Sequence, residues 1–177
     1  TLKRLNLDSD TLVIVTSDNG PWFEGSTGGL RERKGGAGWD GGYRVPFIAR
    51  QPGRIPAGLV SDAMAMNIDL LPTILSWTGS PLPANELDGL DISRLLTVRG
   101  APSPHDELIL FNNEQVAAVR TDRWKLVVRS YYRTIEAPLD RPDRADWHVL
   151  FNLQHEPSET YDASPLHSTA LKETTAR

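Results

Sequence analysis

The feature that most constrains the fold is a short apolar stretch at residues 11–17 (TLVIVTS), which runs directly into Asp18, Asn19 and a glycine. Because it is rich in β-branched residues and too short for a helix, it predicts a strand buried on both faces of a parallel sheet. Asp18 and Asn19 would then lie at the carboxyl end of that strand, where open α/β sheets bind their ligands. Their carboxylate and carboxamide oxygens suit a hard divalent cation such as calcium or magnesium. The alternative is a simple turn, since Asn-Gly is the commonest hairpin signal.

The segment after this turn holds one lysine, Lys34, among glycines, and continues into WDGGYRVP at residues 39–46. Glycine allows the backbone to approach a bound anion closely, and Lys34 would add a mobile positive charge. Residues 43–49 predict a second strand, which the sequence RQPG at residues 50–53 ends. Arg44, within this strand, is expected to orient a neighbouring carboxylate rather than to bind a ligand.

These motifs resemble the sulfatase family of the alkaline phosphatase superfamily. In that family a strand ending in T-S-D-N-G is followed by G-K-G-x-x-[WY]-E-G-G-x-R-x-P. This chain has TSDNG at residues 16–20, then Lys34-Gly35, then WDGGYRVP at residues 39–46. Asp40 stands where the family usually has Glu, which keeps the negative charge on a shorter side chain. One additional residue separates Lys34 from Trp39, which shifts the register of the lysine.

The resemblance implies a role for three residues. Asp18 and Asn19 would be metal ligands for a calcium ion, and Lys34 would be the catalytic and substrate-binding group that contacts a sulfate oxygen. The family's nucleophile is a formylglycine made from the Cys or Ser of a C/S-x-P-x-R motif, which these residues lack. They also lack the Asp-Asp pair that supplies further metal ligands in the family. We therefore expect the chain to be the carboxyl-terminal part of a sulfatase, catalytically inactive by itself.

Composition narrows the class of partner. The net charge is −4, so the chain has no basic surplus with which to bind nucleic acid. No apolar run approaches the length of a membrane span. Cysteine is absent, which excludes a disulfide framework and leaves a periplasmic, secreted or cytoplasmic location open. The partner implied by the resemblance is a sulfated small molecule or glycan, and an unpaired sheet edge would permit a homo-oligomer.

Two segments further along the chain extend the resemblance. Residues 69–79 predict a helix that Asp69 begins and Gly79 ends, with a proline tolerated in its first turn. Residues 87–96 predict a turn followed by a short amphipathic helix, similar to the family's L-D-G-x-S-L-x-P-L-L. The apolar face of the first helix is expected to pack against the sheet and consists of Leu70, Leu71, Ile74 and Leu75.

The remainder of the chain predicts a different kind of sheet. Its first three apolar runs are too closely spaced for crossover connections, so they predict antiparallel strands at residues 108–111, 116–120 and 124–128. Residues 149–153 predict the last strand. Residues 130–146 are expected to form an excursion of the chain on the surface, that is, a solvated loop. Residues 166–172 predict a last helix. The predicted fold class is α/β. Residues 1–100 would hold the last strands of the large mixed sheet of an alkaline-phosphatase-like sulfatase fold, and residues 101–177 a small four-stranded antiparallel sheet with a terminal helix.

Two other functions stay open at this point. A phosphodiesterase or phosphonate monoester hydrolase of the same superfamily places nearly the same demands on the metal and on the bound oxyanion. Alternatively, residues 107–177 would serve as a non-catalytic interaction module that binds a partner through the edge of its sheet.

Overall fold

A computed structural model of the chain describes residues 1–129 and 148–177. The described residues form two compact units, residues 1–17 with 46–106 and residues 18–45 with 107–177. The predicted division at residue 100 stays a prediction. The helices and strands follow in chain order: β1 (Val13–Val15), α1 (Asp40–Tyr43), β2 (Ile48–Arg50), α2 (Leu70–Thr78), α3 (Ser93–Thr97), β3 (Leu108–Asn112), β4 (Gln115–Arg120), β5 (Trp124–Val127), β6 (Val149–Asn152) and α4 (Ser168–Thr175).

The first unit contains a small antiparallel sheet of two strands. Strand β1 pairs with β2 so that Val15 lies opposite Ile48. These two side chains share one face, on which they are 57% and 62% exposed. The prediction of a parallel strand buried on both faces is therefore wrong for the described residues, because β2 runs back along β1 and the side chains alternate between the two faces.

The second predicted strand is also shorter than expected. Residues 43–49 were predicted to be extended, but the strand covers only Ile48–Arg50, and the preceding Asp40–Tyr43 forms the helical turn α1. The amide of Arg44 donates to the Asp40 carbonyl over 2.7 Å and closes that turn. Two consecutive glycines within the turn remove the side chains that favour an extended backbone.

Helix α2 confirms the prediction made from its end residues. It begins at Leu70, after a turn of 3₁₀-helix at Asn67–Asp69, and ends at Gly79, whose φ of 70° is the left-handed conformation that glycine adopts freely. The predicted buried face is wrong for two of its four residues, since Leu71 is 51% and Ile74 is 42% exposed, whereas Leu70 and Leu75 are half-buried. The buried residues of the helix are Pro72, Thr73 and Trp77.

Polar partners explain why the helix buries that other face. Trp77 donates from Nε1 to Gln51 Oε1 over 2.6 Å, and the guanidinium of Arg54 lies 3.9 Å from the centre of the Trp77 ring. Thr73 accepts a hydrogen bond from the Ile92 amide over 3.0 Å. A pattern that scores only apolar residues cannot detect an orientation fixed by such bonds.

Asp69 joins three segments of the first unit. It is fully buried, and its carboxylate accepts from the Met66 amide over 2.7 Å and from the Leu90 amide over 2.9 Å. The Nε2 atom of His105 lies 2.9 Å from both carboxylate oxygens. Asp69 was predicted to begin helix α2, and it does precede the helix. Its side chain, however, does not cap α2 but stabilises the packing of segments distant in sequence.

The second unit contains the predicted four-stranded sheet. The strands are antiparallel in the order β3-β4-β5-β6, which confirms the predicted fold class. The terminal helix α4 is also confirmed, two residues later than predicted at its start. The residues of the sheet that are at most 1% exposed are Ala117, Ala118, Lys125, Leu126, Val127, Leu150 and Phe151. The excursion predicted at residues 130–146 lies outside the described residues. In the parts of the chain that are described, no helix is long and apolar enough to cross a membrane.

Candidate functional site

The residues predicted to bind metal and sulfate lie on one folded segment, residues 18–45 of the second unit. The amide of Gly20 donates to the Gly42 carbonyl over 2.8 Å, and the amide of Lys34 donates to the Pro21 carbonyl over 3.0 Å. These bonds place the backbone of Lys34 beside the residues that directly follow Asn19. The side chains of Asp18 and Lys34 are exposed. The segment therefore presents a carboxylate and an ammonium group to solvent within one short stretch of backbone.

The donor chemistry of Asp18 and Asn19 agrees with a calcium ligand pair, since calcium takes carboxylate and carboxamide oxygens. Calcium usually takes about six to eight oxygen ligands, so these two side chains would supply only a part of its coordination. Within residues 1–129 and 148–177, no cluster of three or more His, Cys, Asp or Glu side chains could hold a metal ion. The role of Asp18 and Asn19 as ligands stays a prediction, as does the contact of Lys34 with sulfate.

Three glycines of the segment serve backbone packing. A Cβ atom on Gly20 would lie 1.8 Å from the Gly41 carbonyl oxygen, and one on Gly41 would lie 2.2 Å from the Glu32 carbonyl oxygen. A Cβ atom on Gly42 would lie 2.5 Å from the Gly36 carbonyl oxygen. The neighbours are carbonyl oxygens, which repel anions. At these positions the glycines allow backbone to approach backbone, and the idea that they surround a bound anion does not hold for them.

A buried ionic cluster anchors the segment to the sheet. Lys125 Nζ on strand β5 donates to Asp40 Oδ1 and to Glu159 Oε1, over 2.6 Å in each case. Arg120 NH1 donates to Asp40 Oδ2 over 2.9 Å, and the amide of Asp40 donates to Glu159 Oε2 over 2.8 Å. Lys125 and Glu159 are fully buried, and Asp40 is 2% exposed. We call Asp40, Arg120, Lys125 and Glu159 the ionic cluster.

The two carboxyl groups of the ionic cluster differ in acidity. Burial acts to raise the pKa of Asp40, but the positive charges of Lys125 and Arg120 outweigh burial and hold this pKa below its ordinary value. Burial raises the pKa of Glu159 above its ordinary value, with Lys125 opposing the rise and the negative charge of Asp40 adding to it. Because both carboxylates bond to the same Lys125 ammonium group, the two groups titrate as a pair.

Aromatic and backbone contacts complete the attachment. Trp39 is 1% exposed and packs edge-on against Phe151 of strand β6, with ring centres 5.8 Å apart. The guanidinium of Arg31 lies 3.9 Å from the centre of the Trp39 ring and donates to the Glu159 carbonyl over 2.6 Å. Glu159 itself has a φ of 56°, which few residues other than glycine adopt. The segment is therefore fixed to the sheet at both Trp39 and Asp40.

The sequence analysis missed the ionic cluster. No role was predicted for Lys125, which falls in a predicted strand, or for Glu159. The sequence did contain an indication of this cluster. Lys125 lies within the apolar run of β5, and a lysine in a buried strand requires a carboxylate partner.

The fold and these motifs define the class of protein to which the chain belongs, the sulfatase family. A family model described as Sulfatase matches residues 1–80. The chain is 36% identical over 170 residues to human arylsulfatase A, in an alignment that covers 90% of this chain and 32% of that protein. It is 35% identical over 140 residues to human steryl-sulfatase, covering 70% of this chain and 24% of that protein.

A solved structure extends the similarity to the whole chain. The PsFucS1 sulfatase from Pseudoalteromonas sp. is similar with a TM-score of 0.84 and 29% identity, over 99% of this chain and 37% of that one. The family that the motifs indicated is thus confirmed. The chain spans about a third of the length of arylsulfatase A, so it corresponds to a part of that relative.

Proposed function

We propose that this chain supplies part of the active site of a sulfuric ester hydrolase. In this proposal Lys34 contacts a sulfate oxygen, and Asp18 and Asn19 are two of the ligands of a calcium ion. The observation that best supports the proposal is the hydrogen bond between the Lys34 amide and the Pro21 carbonyl, 3.0 Å long, which holds the backbone of Lys34 against Pro21, two residues after Asn19. The membership of the sulfatase family supports it.

The chemistry of sulfate ester hydrolysis gives each group a task. Negative charge grows on the sulfuryl oxygens and on the leaving oxygen as the ester bond breaks, and fixed positive charge lowers the energy of that state. Lys34 has a long, exposed side chain whose ammonium group would donate to one of these oxygens. Asp18 and Asn19 would hold calcium, which when bound neutralises charge on the sulfate.

The nucleophile is not among these residues. In the proposal it is a formylglycine made from a C/S-x-P-x-R motif, and the chain contains no such motif. The 177-residue chain by itself should therefore hydrolyse no sulfate ester. The proposed substrate class is a sulfated small molecule or glycan.

A phosphate ester is the competing substrate class, because Lys34 and a calcium ion would accept any tetrahedral oxyanion. The test is to express the open reading frame that contains this chain and to compare hydrolysis of p-nitrophenyl sulfate, p-nitrophenyl phosphate and bis(p-nitrophenyl) phosphate. The proposal predicts preference for the sulfate ester. Preference for either phosphate ester would overturn it in favour of the phosphate-ester relatives.

Two lysine variants of the same protein test the site directly. Lys34→Ala should lower kcat/KM for p-nitrophenyl sulfate at least about 100-fold, as the loss of one charged contact to a transition state does. The control is Lys172→Ala, which removes an exposed lysine from helix α4, and it should leave kcat/KM unchanged. Equal activity of the two variants would remove Lys34 from the site.

A further inference from the structure

The ionic cluster and the proposed site belong to the same unit and are joined by a short series of hydrogen bonds. Lys125 Nζ holds Asp40, the first residue of the helical turn α1, at 2.6 Å. Two residues further on, the Gly42 carbonyl accepts from the Gly20 amide over 2.8 Å. Gly20 directly follows Asp18-Asn19. The position of the predicted metal ligands therefore depends on how firmly α1 is held against the sheet.

A second connection leads from the cluster to Lys34. The carbonyl of Glu159 accepts from Arg31 NH1 over 2.6 Å, and the Arg31 carbonyl accepts from the Gly41 amide over 2.8 Å. Arg31 precedes Lys34 by three residues in the same folded segment. Lys125 bonds to the carboxylate of Glu159 over 2.6 Å. Both series of hydrogen bonds, the one through Asp40 and the one through Glu159, therefore begin at Lys125.

From this arrangement we propose that Lys125 is a positioning residue for the sulfatase site, acting through Asp40 and Glu159 to fix the segment that bears Asp18, Asn19 and Lys34. Lys125 is fully buried, so it cannot itself contact substrate from this position. The structural part of the inference stands on the contacts given above. Its consequence for catalysis rests on the proposed function.

The charges of the cluster explain why Lys125 is needed. Asp40 and Glu159 carry two negative charges in a buried space, which Lys125 and Arg120 balance. Arg120 reaches only Asp40 among the bonds described, so the Glu159 carboxylate depends on Lys125 for its positive partner. Without Lys125, the two carboxylates would repel each other, and the segment would relax away from the sheet so that water could solvate them.

The experiment measures amide hydrogen exchange by NMR in the 177-residue chain and in Lys125→Met, which keeps the length of the side chain and removes its charge. The amides to follow are those of Gly20, Lys34 and Gly42, each of which donates within the segment. The matched control is Leu126→Ala. Leu126 is the next residue of strand β5, is 1% exposed and points to the opposite face of the sheet.

At matched global stability, set with urea, the three amides should exchange at least about tenfold faster in Lys125→Met than in Leu126→Ala, because only the first variant opens the segment locally. Equal exchange in the two variants would overturn the positioning role. Glu159→Gln keeps the shape of the side chain and its acceptor for the Asp40 amide, so it is the second variant should Lys125→Met not fold. It should accelerate the same amides, and unchanged exchange in it would contradict the proposal.

The catalytic consequence is measured separately in the protein expressed from the complete reading frame. Lys125→Met should lower kcat for p-nitrophenyl sulfate more than Leu126→Ala does. Circular dichroism should show that the Lys125→Met protein is still folded, so that its lower kcat does not come from unfolding. A parent protein that fails to hydrolyse sulfate esters would overturn the proposed function, while the exchange comparison would still decide the positioning of the segment. A kcat equal to that of Leu126→Ala, in a protein that is active, would refute the catalytic role of positioning.

Discussion

Replacing Gly41 by alanine sets two effects of known size against each other. Gly41 lies in the helical turn α1, where alanine is favoured over glycine by about 1 kcal/mol. However, the new Cβ atom would lie 2.2 Å from the Glu32 carbonyl oxygen, whereas ordinary contact begins at 3.4 Å. Backbone would have to move by about 1.2 Å, the difference of these distances.

That movement gives the expected magnitude. Overpacking a buried position costs about 1–3 kcal/mol. The displacement would also weaken the hydrogen bond from the Gly41 amide to the Arg31 carbonyl, 2.8 Å long, a loss of about 1 kcal/mol. After subtracting the helix preference, we expect Gly41→Ala to lower the free energy of unfolding by about 1–3 kcal/mol.

Urea unfolding followed by tryptophan fluorescence measures this quantity. The control is Gly79→Ala, because a Cβ atom there meets nothing within 4 Å and the φ of 70° is the only obstacle. A left-handed alanine costs about 1–2 kcal/mol, so Gly79→Ala measures the cost of backbone strain at a glycine without a packing clash. If Gly41→Ala were as stable as the parent, or more stable, the argument that this glycine serves close backbone packing would be refuted.

Three further predictions follow from the buried groups. Asp69→Ala removes the acceptor of the Met66 and Leu90 amides and the partner of His105. It should therefore lower the free energy of unfolding by about 3–5 kcal/mol. A decrease below about 1 kcal/mol in urea titrations would contradict this. The pKa of Asp40 is lowered on folding from the ordinary 3.8, so its ionisation stabilises the fold above that pH and less as the pH falls further. The stability difference between the parent and Asp40→Asn should therefore be largest near neutral pH and shrink in acid, and a difference that stays constant between about pH 7 and pH 3 would refute the assignment. Calorimetry of the 177-residue chain should detect no micromolar calcium binding, because Asp18 and Asn19 offer too few ligands to offset dehydration of the ion. Micromolar binding that Asp18→Ala abolishes would contradict this, because it would show that this chain alone supplies a complete calcium site.

The strands of the second sheet were predictable because their signal is local. Each apolar run of β3, β4, β5 and β6 is bounded by turn residues or by a polar stretch, and the first three follow each other too closely for crossovers. Helix α2 was predictable from its ends for the same reason, since Gly79 determines the end of the helix by its own conformation.

The errors arise where distant residues determine the structure. Strand β1 has the composition of a doubly buried strand, but its orientation and exposure depend on β2, which follows more than 30 residues later. The buried face of α2 is selected by Gln51 and Ile92, which bond to Trp77 and Thr73. Hydrophobic periodicity carries no information on such partners.

For the candidate site, the sequence indicated candidate residues, whose roles stay predictions, but not the contacts that hold their segment. Asp18, Asn19 and Lys34 could be named from the resemblance to a family. The cluster that fixes their segment joins Asp40 to Lys125 and Glu159, which are 85 and 119 residues away along the chain. A pairing over such a separation becomes visible only when the fold brings the strands together.

Reading the coding DNA upstream of Thr1 tests the central claim most directly. The account predicts an open frame that encodes an Asp-Asp pair followed by C/S-x-P-x-R, the source of the formylglycine nucleophile. With these residues present, Asp18, Asn19 and Lys34 would complete a sulfatase site. A frame that begins at Thr1, or that carries a different nucleophile, would contradict the assignment of this chain to a working sulfatase.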